Sequence, residues 1–205
     1  IYAASNVTLG GVARTQGTVS LLAVNGWVRD GDTDGSVDIE ADSLRFEARR
    51  WVGQLGVNDN AIETTIERVG GEAGHEGITI LETDALEVNS VSSIINRVQS
   101  DASTVSVVDE ERDEIVTREN GSVVVRTVWG DITLNGGDPA AIRAFGPSVG
   151  EGHVLLEAGG EDSSIYINRS VISNSGHVTL LADLNIIATE TASVNTGLNG
   201  SIELK

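Results

Sequence analysis

Gly152-His153-Val154-Leu155-Leu156-Glu157-Ala158 is answered 24 residues later by Gly176-His177-Val178-Thr179-Leu180-Leu181-Ala182, and 24 later again by Gly200-Ser201-Ile202-Glu203-Leu204. Each phrase opens on glycine and a polar residue, then sets apolar side chains at alternate positions. Alternation over so few residues marks a short strand with one buried face. The phrase occurs upstream as Gly17-Thr18-Val19-Ser20-Leu21-Leu22-Ala23, Gly35-Ser36-Val37-Asp38-Ile39-Glu40-Ala41, Gly77-Ile78-Thr79-Ile80-Leu81-Glu82 and Gly121-Ser122-Val123-Val124-Val125-Arg126-Thr127. Its first apolar residues, Val19, Val37, Ile78, Val123, Val154, Val178 and Ile202, are 18, 41, 45, 31, 24 and 24 residues apart. A second triplet follows most of them, as at Leu44-Arg45-Phe46, Leu86-Glu87-Val88, Ile132-Thr133-Leu134 and Ile165-Tyr166-Ile167. A weaker third apolar position recurs near Val12, Ile142, Val171 and Val194.

Three short strands in a unit of about 24 residues fit one rung of a parallel β-helix. A single rung cannot bury its inner face; stacked rungs, about 4.8 Å apart, make a continuous core. The predicted fold is therefore all-β: a single-stranded parallel β-helix, or β-solenoid, expected to be right-handed with about three strands per rung. A β-sandwich also has short alternating strands, but it would not repeat one phrase at 24-residue spacing. Residues 1–205 read as one solenoid segment, opening mid-pattern at Ile1-Tyr2-Ala3-Ala4-Ser5, as expected of a piece of a longer protein.

The two longest gaps call for insertions, at about 48–76 and 89–120. In the first, Ile62, Ile66 and Val69 have the i, i+4, i+7 spacing of a helical stripe. Asn60 can serve as N-cap, Glu63 as its reciprocal partner and Gly70-Gly71 as the stop, which predicts a short helix near 60–69. The second insertion reads as extra strands around Ile94-Ile95 and Val105–Val108, ending in an acidic run, Asp109–Glu114, expected to be a solvated loop.

Composition agrees with strands and excludes several functions. The 205 residues include 25 Val, 17 Ile and 16 Thr, with two Pro; β-branched side chains favour the pleated sheet. A net charge of −18 repels phosphate backbones and anionic lipid, so neither nucleic acid nor a membrane surface is an expected partner. No apolar run approaches the ~20 residues of a membrane-spanning helix. With no cysteine there is no disulfide framework and no thiolate metal site.

The most specific local motif is Asp30-Gly31-Asp32-Thr33-Asp34-Gly35. Carboxylates at alternate positions followed by glycine form the first half of a calcium loop, which makes Asp30, Asp32 and Asp34 the candidate metal ligands and Ca2+ the candidate cofactor. The motif departs from an EF-hand, because Ala41 stands where the bidentate glutamate belongs; the alternative is an acidic turn between rungs. His153 and His177 hold one repeat position, so they are expected to stack one rung apart as a solvated pair; the competing reading is a shared metal. Trp27, Trp51 and Trp129 could stack on sugar; the alternative for Trp27 and Trp129, near strand ends, is to fill core or corner sites. No serine elbow and no cysteine nucleophile occur, and no rung repeats aspartate at equivalent positions. The expectation is a non-enzymatic chain; the alternative is a β-helix polysaccharide lyase or glycosidase, or a carbohydrate-binding module.

The recurring Gly-Ser/His-Val-x-Leu-x-Ala phrases resemble the β-helical shafts of filamentous-haemagglutinin-like proteins and other giant repetitive bacterial exoproteins. Glu82-Thr83-Asp84-Ala85-Leu86-Glu87-Val88 and Gly130-Asp131-Ile132-Thr133-Leu134-Asn135 are similar to segments of those proteins. The resemblance covers nearly the whole chain, and its motif is a packing code. It implies a secreted or cell-surface bacterial protein acting as an adhesin shaft or spacer. The partners it implies are neighbouring solenoid segments of the parent chain and a host or cell-surface glycan or protein. Exposed strand edges at the segment's ends predict caps or end-to-end homo-association.

Overall fold

The computed structural model describes residues 1–32, 34–56, 60–146, 151–197 and 199–205. Among them are strands and turns and no helix. Nearly all strands run parallel, in two large sheets of 12 and 11 strands, an arrangement that fits a β-solenoid. The chain returns to one column at Val7, Val28, Val52, Ile78, Val123, Val154, Val178 and Ile202. From Val7 to Val178 no member of that column is more than 5% exposed. In the other sheet Leu21, Phe46, Gly71, Ile115, Ile142, Val171 and Val194 stack in the same way. These columns join in one apolar core running the length of the stack.

The two sides of the stack exchange roles halfway. Early on, one side carries a six-residue strand per coil: Thr18–Ala23, Ser43–Ala48 and Arg68–Ala73. The opposite side is broken in two, as Val28–Asp30 with Ile39–Glu40 and Trp51–Val52 with Ile62–Thr65. From Gly77–Glu82 onward the second side is continuous, and the first splits into pairs such as Leu86–Val88 with Ile115–Thr117. Arg68–Ala73 is the junction. Its Arg68 and Val69 pair with Glu87 and Val88, while Gly71–Ala73 pair with Ile115–Thr117. The longest excursion among the described residues, 89–114, leaves the coil where a side is broken, because an unbroken ladder has no backbone groups to spare.

Into the gap after Leu86–Val88 the chain inserts an antiparallel hairpin, Val91–Val98 with Thr104–Arg112. The strands expected around Ile94-Ile95 and Val105–Val108 are these. The acidic run is not a solvated loop: Asp109–Arg112 finish the hairpin and fasten it across three coils. Ser20 Oγ donates to Asp109 Oδ2 at 2.6 Å, and Arg45 Nε to the Glu110 carbonyl at 2.6 Å. Arg45 and Arg112 both reach Glu47 Oε2 at 2.8 Å. Arg45 is consequently only 2% exposed.

The helix expected near 60–69 is absent; the stretch forms the strands Ile62–Thr65 and Arg68–Ala73, meeting at a corner around Ile66-Glu67. Ile62, Ile66 and Val69 are all buried, but two period-2 segments either side of a corner reproduce the i, i+4, i+7 spacing by coincidence. Ladders on both flanks satisfy the backbone groups a helix would have satisfied internally. Gly70-Gly71 is no helix stop. A Cβ on Gly70 would lie 2.2 Å from the Arg112 carbonyl oxygen, and one on Gly71 2.5 Å from the Phe46 ring. The stretch 48–76, read as an insertion, thus supplies three ladder strands, beginning with Trp51–Val52.

The final strand, Ile202–Leu204, exposes what its predecessors bury. Ile202 is 46% and Leu204 56% exposed, against 1% and 0% for their column neighbours Val178 and Leu180.

Candidate functional site

The Asp30–Gly35 segment leaves the second side where it is broken, between Val28–Asp30 and Ile39–Glu40. Gly31 N–H donates to the Leu9 carbonyl of the preceding coil, and a Cβ on Gly31 would sit 2.5 Å from that oxygen. Only glycine permits this approach, and it turns the chain immediately after Asp30. The alternating aspartates then build consecutive turns. Asp32 N–H donates to Asp30 Oδ1 at 2.9 Å, Asp34 N–H to Asp32 Oδ1 at 3.4 Å and Ser36 N–H to Asp34 Oδ1 at 2.9 Å. Hydrogen bonds from Ser36 hold the Asp34 carboxyl below the ordinary aspartate range, and Asp34 is exposed. Of the three candidate ligands, Asp30 turns inward, Asp32 is half-buried and Asp34 faces solvent.

Asp30 is not alone inside. It meets Asp38 and Glu63, each offering a carboxylate oxygen within 4.8 Å of the others. The ladder explains the meeting: Ile39 pairs with Thr64, so the residues before them, Asp38 and Glu63, lie side by side on adjacent coils. Asp38 N–H donates to the Glu63 carbonyl at 2.9 Å, and Glu63 N–H approaches Asp38 Oδ2 at 3.3 Å. Asp30, Asp38 and Glu63 are only 3%, 2% and 4% exposed. Asp30 Oδ2 and Glu63 Oε2 have no hydrogen-bond partner. None of the three makes an ion pair among the described residues: Arg14 is taken by Glu40, and Arg29 lies over the Trp27 ring.

Like charges directly opposite across a ladder repel, and burial strengthens the effect. Desolvation, reinforced by the Asp30 charge, pushes Asp38 up to about 8. Desolvation likewise raises Glu63 to about 7, with Asp30 and Asp32 adding to it against the opposing hydrogen bond from Asp38. Such a trio can share protons or surround a hard cation; ionised and empty, it is destabilising.

Glu82 is the instructive contrast. It occupies a column position held elsewhere by Thr127, Ala158 and Ala182, and it is fully buried. Its carboxylate is completely engaged: Thr64 Oγ1 donates at 2.5 Å, Ile66 N–H at 3.1 Å and Asp84 N–H at 3.2 Å. Desolvation still outweighs these bonds and raises Glu82 to about 7. It is a structural carboxyl that ties the Ile66 corner to the next coil.

The histidines stack as their repeat position implies, with ring centroids 5.2 Å apart and planes 7° from parallel. His177 N–H donates to His153 Nδ1 at 3.0 Å, and Ser201 N–H donates to His177 Nδ1 at 3.0 Å. Accepting at Nδ1 places the proton of each neutral imidazole on Nε2. Binding a metal through Nε2 would need that proton moved and the backbone bond broken. Although Glu151 stands 3.6 Å from His153 Nε2, the pair therefore works as a ladder between coils. Trp27 and Trp51 form a second ladder, 5.0 Å apart and 9° from parallel, whereas Trp129 is 61% exposed. An open groove of about 480 Å³ is lined by Glu40, Asp42, Glu67 and Asp84. Two of these carboxylates are held in ion pairs, Glu40 with Arg14 at 2.5 Å and Asp42 with Arg68 at 2.6 Å.

Asp38 and Glu63 are the residues that local spacing misses, since they stand 8 and 33 positions from Asp30. The signal that could find them is register: two acids at one position of consecutive coils. No family model, curated protein or solved structure matches this chain.

Proposed function

We propose that the chain is a non-enzymatic structural segment of a large secreted or surface-anchored bacterial protein. In this reading it is a right-handed β-helical spacer with about three strands per coil, whose immediate partners are further solenoid coils. The observation that carries the reading is the stack itself, parallel coils whose columns join in one apolar core with ion pairs along the flanks; its strand Ile202–Leu204 is half exposed. An exposed apolar strand with free backbone groups is a template for another parallel strand. Ion pairs between coils add support along the flanks, including Arg14–Glu40, Arg68–Asp42 and Arg118–Glu72.

The expected result is concentration-dependent end-to-end association in analytical ultracentrifugation, abolished by Ile202→Asp with Leu204→Asp. Because these side chains are already exposed, the double variant should melt within a few degrees of the parent, as surface substitutions do. A parent chain that stays monomeric at every concentration would refute the docking role. Turnover of an acidic polysaccharide, lost on a single aspartate substitution, would replace the reading with the enzymatic one.

A further inference from the structure

We propose that Asp30, Asp38 and Glu63 bind one calcium ion. Three buried carboxylates on adjacent coils converge within 4.8 Å, and two of their oxygens, Asp30 Oδ2 and Glu63 Oε2, lack any donor. Native proteins rarely leave buried polar atoms unsatisfied, and a buried charge left so is costlier still. A hard divalent cation satisfies both oxygens and offsets most of the charge on the trio. Size favours calcium: oxygens at 2.3–2.6 Å span at most about 4.6–5.2 Å across the ion, against about 4.2 Å across magnesium.

Among the described residues no ion pair reaches the trio. Arg29 is on Trp27, Arg14 is on Glu40, and Arg126 lies one strand beyond Leu81, the ladder neighbour of Glu63. Asp32 stands half-buried at the rim and adds negative charge. Asp30 ends one strand and Asp38 immediately precedes the next on the broken side of the early coils, Val28–Asp30 and Ile39–Glu40, whereas Gly77–Glu82 is continuous. The acidic turn and the calcium motif are then one device: the turn delivers Asp30, and the ladder supplies the other two ligands.

The test is calorimetric titration of EDTA-stripped protein with CaCl2 at about pH 8 and constant ionic strength, with melting curves alongside. One ion should bind per chain, and the melting temperature should rise by about 5–10 °C at a hundredfold excess over Kd. Asp38→Asn with Glu63→Gln removes the repulsion without removing volume, so this variant should fold in EDTA and lose the saturable shift. Glu161→Gln, at an exposed turn, should keep it. The proposal fails if binding is not stoichiometric, if the double variant binds as the parent does, or if magnesium matches calcium at equal concentration.

Discussion

Raising the pH of the metal-free protein from about 5 to about 8 is expected to destabilise it. Asp38, Glu63 and Glu82 all have folded-state pKa values above their ordinary ones of 3.8, 4.5 and 4.5, at about 8, 7 and 7. The native state therefore holds protons that the unfolded chain has released. Stability supplied by the protonated carboxyls is complete below the ordinary range and is lost as pH climbs toward the raised values. One such proton lowers stability by about 1.4 kcal/mol per pH unit, or about 3–6 °C in melting temperature for a chain of this size. Urea denaturation in EDTA across this range measures the slope directly. Asp38→Asn with Glu63→Gln should flatten most of it, leaving the Glu82 part and the general repulsion of a −18 chain. Saturating calcium should flatten it too, because the metal displaces the protons it competes with. Stability rising with pH in EDTA would mean that the trio is ionised and compensated in the native state.

The second large effect lies in the core, at Phe46 and Gly71. They are ladder neighbours, and the ring occupies the space a side chain on Gly71 would need. A Cβ there would lie 2.5 Å from two ring carbons and 2.6 Å from a third. Phe46 is fully buried and cannot swing out. Gly71→Ala should cost about 1–3 kcal/mol by overpacking, and Phe46→Ala about 3–5 kcal/mol through the cavity it leaves. Combining Gly71→Ala with Phe46→Leu should be less damaging than the sum of the two single changes, because the smaller side chain yields the contested volume. Additive losses in chemical denaturation would show that the two positions do not share that space.

The later coils were more legible than the earlier ones. Ile78, Val123, Val154, Val178 and Ile202, aligned by the repeated phrase, do stack in one column. Val19 and Val37, aligned by the same phrase, do not: Val19 pairs with Leu44 in one sheet, while Val37 precedes the strand Ile39–Glu40 in the other. Apolar alternation encodes burial without encoding which side of the coil a strand belongs to, so the exchange of sides at Arg68–Ala73 left no mark that a phrase search could detect. The false helix arose from the same ambiguity, as a corner at Ile66 imitated a helical period.

The candidate site was half legible for a related reason. Asp30 belongs to a local motif, whereas Asp38 and Glu63 acquire their meaning only from the pairing of Ile39 with Thr64. In a stacked chain, side chains from different coils meet at the ladder spacing, and contiguous motifs record only the part that falls within one loop.

The hairpin's fastening has a mechanical consequence. Drawn from one end, a stack of coils held by parallel ladders comes apart a turn at a time, each turn bearing the load alone. Ser20, Arg45, Glu47 and Glu72, on three successive strands, are all tied to Asp109–Arg112. Those three turns must yield together, so tension arriving from the N-terminal side meets a cleat before it reaches the second half of the rod.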